Sequence, residues 1–307
     1  MNILVGYTGF VGSNINDNYQ FDGLYNSKNI EESFGTNPDL LVYCGVRAEK
    51  FLANRYPEKD KRIIEESINN IVKINPRNIV LISTIDVYKN PYGVNEDSVI
   101  DLDGLHPYGY NRYYLEQWVE NNCKDHLILR LPGLYGKNIK KNFIYDLINN
   151  IPSMLNEVKF TELKEINSLI EDYYLLQDNG FYKCKELLYD DRKRLNIYFE
   201  AVGFSALNFT DSRGCFQFYN LKYLWNHINH ALDNNIQKMN IATEPVKIDE
   251  LYRYIMGKDF VNNVSKEIPY YDFKTKYAEL YGARDGYIFN KEFILSDIKE
   301  FVGENKE

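Results

Sequence analysis

A glycine-rich turn near the start of the chain constrains the fold more than any other feature. The apolar run Asn2–Val5 leads into the letters GYTGFVG, and Phe10–Asn18 then has the composition of a helix. In this order, a strand, a tight turn and a helix allow backbone amides to approach a pyrophosphate, whose charge the helix N-terminus stabilises. The sequence therefore predicts a dinucleotide site built on Gly6, Gly9 and Gly12.

After this turn the sequence alternates between two kinds of segment. Short runs rich in β-branched and aliphatic residues predict strands at 39–43, 78–83 and 126–131, and apolar residues at helical spacing predict helices at 61–74 and 108–122. Strands that alternate with helices form parallel sheets. We therefore expect an α/β fold with a Rossmann-type, doubly wound parallel sheet and a smaller, mostly helical substrate lobe.

The character of the sequence changes near residue 151, where long, charged, helix-biased stretches begin. We divide the chain into a dinucleotide-binding domain over residues 1–150, a helical insert or substrate lobe over 151–214, and a last part over 215–307. In that last part, strand-like runs at 215–219 and 239–242 predict a return to the sheet. The C-terminal helices are expected to belong to the substrate lobe.

Composition excludes several classes of partner. The 307 residues carry a net charge of -8, which disfavours binding to nucleic acid or to anionic lipid. No apolar run approaches the roughly 20 residues that span a bilayer, and the first residues lack the features of a signal peptide, so we expect a cytoplasmic protein. The four cysteines are scattered, with no CxxC pair, which indicates neither a metal site nor a disulfide framework.

Three further motifs follow the glycine turn: STIDVY at 83–88, YGYNR at 108–112 and RLPGLYG at 130–136. In their order and approximate spacing they resemble the extended short-chain dehydrogenases/reductases, and the resemblance extends over residues 1–136. It implies a nicotinamide cofactor, hydride transfer and a nucleotide-sugar-like substrate. Many members of this family form dimers through helices that flank the active site. The resemblance therefore suggests a homodimer, although the sequence leaves the oligomeric state open.

The resemblance implies three catalytic residues, Thr84, Tyr108 and Arg112. In the family, a tyrosine and a lysine four residues later share one helix face, and a serine or threonine comes from the end of the preceding strand. A phenol with a pKa of about 10 is a poor base at neutral pH, so a cation one turn away favours the phenolate. Arg112 departs from the family lysine: it keeps the charge but cannot shuttle a proton.

Cofactor choice depends on the end of the second strand, which we place at residues 23–26. A carboxylate there would repel a 2′-phosphate, but Ser27 and Lys28 follow instead, so we expect NADP, with NAD as the alternative. The residues expected to contact the cofactor are Gly6, Thr8, Gly9, Phe10, Val11, Gly12, Ser27, Lys28, Cys44, Gly45, Tyr108, Arg112 and Leu131.

The sequence thus predicts an NAD(P)-dependent oxidoreductase or epimerase that acts on a keto or hydroxyl group of a nucleotide-sugar-like substrate, with Tyr108 and Thr84 as the proton relay. Two alternatives stay open. A non-catalytic dinucleotide-binding protein is suggested by Arg112 and by the atypical middle lobe, and a reductase of a small carbonyl compound would need a smaller cleft. Asp86 matches an acid of dehydratases, but Ile85 stands beside it where a second carboxylate is expected, which disfavours dehydration.

Overall fold

A six-stranded parallel sheet organises the first part of the molecule, in a computed structural model that describes residues 1–306. Its strands run in the order β12-β5-β4-β3-β1-β2. Their bounds are β1 (Asn2–Val5), β2 (Gly23–Tyr25), β3 (Leu40–Tyr43), β4 (Asn78–Thr84), β5 (Asp125–Leu131) and β12 (Lys238–Asn240). Because the chain crosses from β2 on one side of β1 to β3 on the other, the sheet is doubly wound. The predicted fold class is confirmed.

Helices cover both faces of this sheet. Helices α1 (Phe10–Asn18) and α8 (Leu224–Asp233) pack on one face, and α3 (Pro57–Ile74) and α4 (Pro107–Asn122) pack on the other, with the short α2 (Lys50–Arg55) before α3. Successive side chains of a strand point to opposite faces. Leu4 and Val42 therefore join the cluster of α1 and α8, whereas Ile3 and Leu41 join the cluster of α3 and α4.

The two strand-like runs of the last part behave differently. Residues 238–240 form β12 and pair with β5, as the sequence indicated. Residues 215–219 do not return to the large sheet: they form β10 (Cys215–Phe216) and part of β11 (Phe218–Asn220), and β11 pairs with β6 (Gly133–Tyr135). Both edges of β5 are occupied, one by β4 and the other by β12, so β5 offers no free edge to residues 215–219. The other short strand of this part is β13 (Val246–Lys247), which pairs with β10.

The chain folds into two compact units. The first unit contains the large sheet and consists of Met1–Ile139, Cys215–Val246 and Pro269–Asp297. The second consists of Lys140–Gly214, Lys247–Ile268 and the described residues from Ile298 onward. No helix within residues 1–306 is both long enough and apolar enough to cross a membrane.

The second unit has its own core, in which Leu155, Leu195 and Phe199 are buried. Its helices include α5 (Phe143–Ile148), α6 (Glu157–Ile166), α7 (Tyr189–Ala201) and α9 (Ile248–Met256). Helix α10 (Lys291–Asn305) belongs to the first unit up to Asp297 and to the second from Ile298 onward. A small antiparallel sheet is formed by β7 (Met154–Leu155), β8 (Tyr174–Leu176) and β9 (Tyr182–Cys184). Strands of two or three residues are too short to show an alternating pattern, which is why the sequence did not reveal this sheet.

A buried ion pair holds α4 against the large sheet. Arg130 of β5 and Glu116 of α4 have side chains that are 1% and 0% exposed, and their Nη2 and Oε2 atoms are 2.6 Å apart. The Arg130 Nε also donates to Glu116, its Nη1 donates to the Tyr88 hydroxyl at 2.7 Å, and the Ser83 hydroxyl donates to Glu116. Because both charges are compensated and hydrogen-bonded, the pair fixes the position of α4 over β4 and β5.

We expect Glu116→Gln to lower the free energy of unfolding by about 3–5 kcal/mol, because Arg130 would stay buried without a counter-charge. Urea unfolding of the full chain, followed by circular dichroism, measures this. Arg77→Gln is the control, since it breaks an exposed pair with Asp39 in the same unit, whose side chains are 80% and 57% exposed. Equal unfolding midpoints for the two variants would contradict the prediction.

Candidate functional site

The glycine turn is packed so tightly that it excludes side chains at two positions. A Cβ on Gly12 would lie 2.2 Å from the Gly6 carbonyl oxygen, and a Cβ on Gly6 would lie 2.6 Å from the Cys44 carbonyl oxygen. Gly6 also has a φ of +90°, which favours glycine. The turn between β1 and α1 therefore lies directly against the loop that follows β3, at the point where the strand order reverses.

The N-terminus of α1 is arranged like an anion-binding site. Gly9 is the N-cap residue, no side chain among residues 1–306 caps the helix, and its first turn has no acidic residue. Thr8 and Gly9 are exposed, and Phe10 and Val11 are half-buried. Amides of a first helical turn that lack a side-chain acceptor, together with the positive end of the helix dipole, attract a negatively charged group.

The turn after β2 is polar and contains no carboxylate. Strand β2 ends at Tyr25, one residue before the predicted end, and Asn26 begins the turn. The Asn26 Oδ1 accepts from the Lys28 amide at 2.8 Å, and the Asn29 Oδ1 accepts from the Asn26 amide at 2.8 Å. Ser27 and Lys28 are exposed, and the first acidic residue after them is Glu31.

Cys44 and Gly45 follow β3 beside the glycine turn. The Cys44 amide donates to the Val5 carbonyl at 2.9 Å, which extends the pairing of β1 and β3 by one residue. Burial raises the pKa of the Cys44 thiol, so the thiol stays protonated and is a poor nucleophile. Gly45 is exposed. These two residues border the turn chiefly through their backbone.

Tyr108 and Thr84 meet at the carboxyl end of β4. Thr84 is the last residue of that strand and Tyr108 lies in the first turn of α4. A Cβ on Gly109 would lie 2.2 Å from the Asp86 carbonyl oxygen, so only glycine at this position allows α4 to approach so closely. The Asp86 amide donates to the Thr84 Oγ1 at 3.2 Å, which leaves the Thr84 hydroxyl proton free to point elsewhere.

Two side chains fix the start of α4. The Asn54 Oδ1 accepts from the Tyr108 amide at 2.9 Å, and the His106 Nδ1 accepts from the Gly109 amide at 2.9 Å. Burial, and then the charge of Lys50, lower the pKa of His106. The imidazole is therefore neutral at pH 7, which agrees with its role as an acceptor at the N-cap.

The charges around Tyr108 have opposing effects on its phenol. Burial raises the pKa of Tyr108, whereas the charge of Arg112 and a hydrogen-bonding interaction with the Thr84 side chain lower it. The carboxylates of Asp86 and Asp60 raise it. The net shift is upward, so Tyr108 carries its proton at neutral pH.

Arg112 lies beside Tyr108 as the sequence predicted, but its guanidinium donates its hydrogen bonds to other residues. Its guanidinium carbon is 4.5 Å from the centre of the Tyr108 ring. Its Nη1 and Nη2 donate to the two carboxylate oxygens of Asp60 at 2.8 and 3.1 Å, and Nη2 also donates to the Arg47 carbonyl at 2.7 Å. Arg112 is 5% exposed and Asp60 is 7% exposed. The guanidinium is therefore a fixed cation under the ring.

The predicted site residues fall into two groups at the carboxyl ends of the parallel strands. Gly6, Cys44 and their neighbours form one, and Thr84, Tyr108 and Arg112 form the other. Leu131 pairs with Thr84 in the register of β4 and β5, but its side chain is buried in the core, so only its backbone borders the second group. No cluster of three or more metal-binding side chains occurs in residues 1–306.

Sequence reasoning missed the residues that surround the second group: Lys50, Asn54, Asp60, His106 and Tyr271. Asp60 lies 52 residues before Arg112 and Asn54 lies 54 residues before Tyr108. Contacts over such distances leave no local pattern in a single sequence. The proline after His106 was the one available signal, because proline is favoured at the first position of a helix and makes His106 the N-cap.

No protein-family model and no curated protein matches the sequence. Solved structures match it in fold. One is a dTDP-4-dehydrorhamnose reductase from Bacillus anthracis in complex with NADP, with 16% identity, 99% of each chain covered and a TM-score of 0.64. Another is a UDP-glucose 4-epimerase from Thermotoga maritima with UDP-glucose, with 14% identity, 99% of this chain and 98% of that chain covered, and a TM-score of 0.60.

A third match is RMD from Pseudomonas aeruginosa complexed with NADPH, with 15% identity, 100% of each chain covered and a TM-score of 0.60. All three matches extend over nearly the whole length of both chains. At these identities the likeness establishes the fold, and it confirms the fold that the resemblance of the motifs implied.

We expect Gly12→Ala to lower the free energy of unfolding by about 1–3 kcal/mol, because its methyl group would collide with the Gly6 carbonyl. Gly303→Ala is the matched control: it is also a helical glycine, and no atom lies within 4 Å of a Cβ built there. Alanine is favoured over glycine in helices by about 1 kcal/mol, so the control should match or exceed the parent in thermal stability. If Gly12→Ala stabilised the protein as Gly303→Ala is expected to do, the prediction would be wrong, because the turn would then have room for a methyl group.

Proposed function

We propose that this protein is an NADP-dependent oxidoreductase or epimerase of nucleotide-linked sugars in which Tyr108 and Thr84 handle the proton. The observation that carries this proposal is the meeting of Thr84 and a buried, protonated Tyr108 at the carboxyl end of β4, in the same unit as the glycine turn. In doubly wound folds, ligands bind at the carboxyl ends of the strands beside the reversal of strand order. Both groups of residues lie at that edge.

The residues of the glycine turn fit a dinucleotide. Side chains at Gly6 or Gly12 would collide with backbone, and the first turn of α1 offers its amides and its dipole to a pyrophosphate. The turn after β2 lacks the carboxylate that would accept from the ribose of NAD and repel a 2′-phosphate. Lys28 is exposed in that turn and can pair with the phosphate. These features support NADP over NAD.

When bound, NADPH supplies a hydride to the carbonyl carbon of the substrate. The side chains of this protein act on the carbonyl oxygen. Thr84 has its oxygen engaged by the Asp86 amide and can donate its hydroxyl proton as a hydrogen bond, which polarises the carbonyl. Tyr108 then transfers its phenolic proton to the oxygen, and Arg112 stabilises the phenolate that remains.

A protonated Tyr108 meets the proton requirement of carbonyl reduction. Burial raises the pKa of its phenol, so at pH 7 the group is an acid ready to donate and is a poor base. Reduction of a keto group needs a proton donor at the oxygen, whereas oxidation of a hydroxyl needs an acceptor there. A keto sugar is therefore a candidate substrate, and epimerisation through a transient keto sugar uses the same two side chains.

The structures with the same fold support a nucleotide-linked sugar as the substrate. One of them is a reductase of dTDP-4-dehydrorhamnose, and another is an epimerase solved with UDP-glucose. These two compounds are the first substrates to assay. Net consumption of NADPH with the keto sugar indicates a reductase, and interconversion of UDP-glucose without net consumption indicates an epimerase. Binding of NADPH with no turnover of either compound, or of small carbonyl compounds, would favour the non-catalytic alternative.

We expect Tyr108→Phe to reduce turnover by at least about 100-fold while the affinity for NADPH stays within a few-fold of the parent, because only the proton-donating oxygen is lost. The absorbance of reduced nicotinamide gives the rate, and calorimetry gives the affinity. Tyr110→Phe is the control, because Tyr110 lies on the same helix with an exposed side chain. Turnover near the parent value in Tyr108→Phe would remove Tyr108 from the mechanism.

We also expect NADPH to bind more tightly than NADH, and Lys28→Ala to weaken NADPH binding by roughly 3- to 10-fold, the loss of one charge-assisted contact. Binding of NADH should not change, because it has no 2′-phosphate. Fluorescence titration of both cofactors measures this, with Lys73→Ala on α3 as the control. Equal losses for the two cofactors would show that Lys28 does not contact the 2′-phosphate.

A further inference from the structure

Asp86 is held by two side chains at the carboxyl end of β4. The Lys50 Nζ lies 2.8 Å from its Oδ1, and the Tyr271 hydroxyl donates to the same oxygen at 3.3 Å. Burial and the nearby Asp86 charge raise the pKa of Tyr271, so this phenol remains a donor. The backbone amide of Asp86 donates to Thr84. Asp86 therefore connects Lys50 to the pair of residues that we assign to proton transfer.

The two cations near Tyr108 differ in how they are held. Arg112 is 5% exposed, bound to both oxygens of Asp60 and to a backbone carbonyl, and stacked on the Tyr108 ring. Lys50 is the first residue of the short helix α2. Its side chain is 41% exposed, and the side chain of its partner Asp86 is 19% exposed. Arg112 is thus the buried cation of the site, and Lys50 is its partly exposed cation.

We propose that Lys50 is a positioning residue for proton transfer by Tyr108, acting through Asp86, whose negative charge it offsets. The inference rests on the proposed function, because it concerns the proton that Tyr108 donates. The two cations then have separate roles. Arg112 packs against the Tyr108 ring, and Lys50 offsets the negative charge of Asp86.

The charged and titratable groups that face Tyr108 define the sign of the effect. They are Arg112 on its own helix, Asp60 on α3, Asp86 after β4 and the neutral His106 at the helix start. Asp86 raises the pKa of Tyr108. Lys50 lies within an ion-pair distance of Asp86, so it cancels part of that influence. Loss of Lys50 should raise the pKa of Tyr108 further, and loss of Asp86 should lower it.

Nuclear magnetic resonance tests this linkage without turnover. The full-length protein is labelled with 13Cζ-tyrosine, and the Tyr108 signal is identified by its absence in Tyr108→Phe. We expect the signal to titrate at a higher pH in Lys50→Gln than in the parent and at a lower pH in Asp86→Asn. The shift caused by Lys50→Gln should be smaller in the Asp86→Asn background than in the parent, because Lys50 also holds the carboxylate in place. An unchanged titration in Lys50→Gln, or a Lys50→Gln shift of equal size in both backgrounds, would overturn the proposal.

The kinetic counterpart uses reduction of dTDP-4-dehydrorhamnose by NADPH. Because Tyr108 must be protonated to donate, the alkaline limb of the kcat profile should move to higher pH in Lys50→Gln, and kcat at pH 7 should fall by roughly 3- to 10-fold as the phenol becomes a weaker acid. Lys50→Arg keeps the charge and should restore the parent profile. A rise in KM with an unchanged profile would mean that Lys50 binds substrate, and would overturn the proposal.

A matched surface control separates this effect from a general change of charge. Lys89 also pairs with a carboxylate in the first unit, its Nζ lying 3.6 Å from the Asp101 Oδ2. The side chains of Lys89 and Asp101 are both exposed. Lys89→Gln should leave the Tyr108 titration and the kcat profile at their parent values. A parent protein that binds NADPH but turns over no substrate would contradict the proposed function, and the resonance titration would then decide the Lys50 linkage independently.

Discussion

The buried ion pair between Glu116 and Arg130 is the interaction on which the geometry of the site depends. It joins α4 to β5 with side chains that are almost completely inaccessible, and Ser83 and Tyr88 complete its hydrogen bonds. Tyr108 and Arg112 lie on the same helix, two turns and one turn before Glu116. A helix held only by apolar contacts could slide along the sheet, whereas a directional, fully hydrogen-bonded ion pair permits one register.

The start of the same helix is fixed by a close backbone contact and by two side chains. Gly109 lets the start of α4 rest on the Asp86 carbonyl, and Asn54 and His106 satisfy amides of the first turn. Tyr108 is consequently held by contacts at the start and in the middle of its helix, in addition to the interactions of its own side chain with Thr84 and Arg112. The proton-transfer role that we propose for Tyr108 requires such a fixed position, since small displacements of reacting groups are costly in rate.

The electrostatics of the site are a balance between burial and charge. Burial favours the neutral phenol, and Arg112 favours the phenolate, while Asp60 and Asp86 each oppose Arg112. Asp60 is required to keep the buried guanidinium compensated, so the cation cannot be present without its counter-charge. A lysine at position 112 would be a smaller, more flexible cation, and its replacement by arginine accompanies a fixed, bidentate pair with α3.

The sequence by itself determined the doubly wound α/β fold, the glycine turn and the relative order of Thr84, Tyr108 and Arg112. These features are local, because strand and helix periodicity, turn glycines and a four-residue helical spacing appear within a few consecutive residues. Tertiary structure alone decided which partners surround them. The site receives Lys50 and Asn54 from α2, Asp60 from α3, and Tyr271 from a segment 185 positions after Asp86. Strand β12, and not the run at 215–219, pairs with β5. Such contacts arise when separate elements pack together, and nothing in the neighbouring residues of one sequence encodes them.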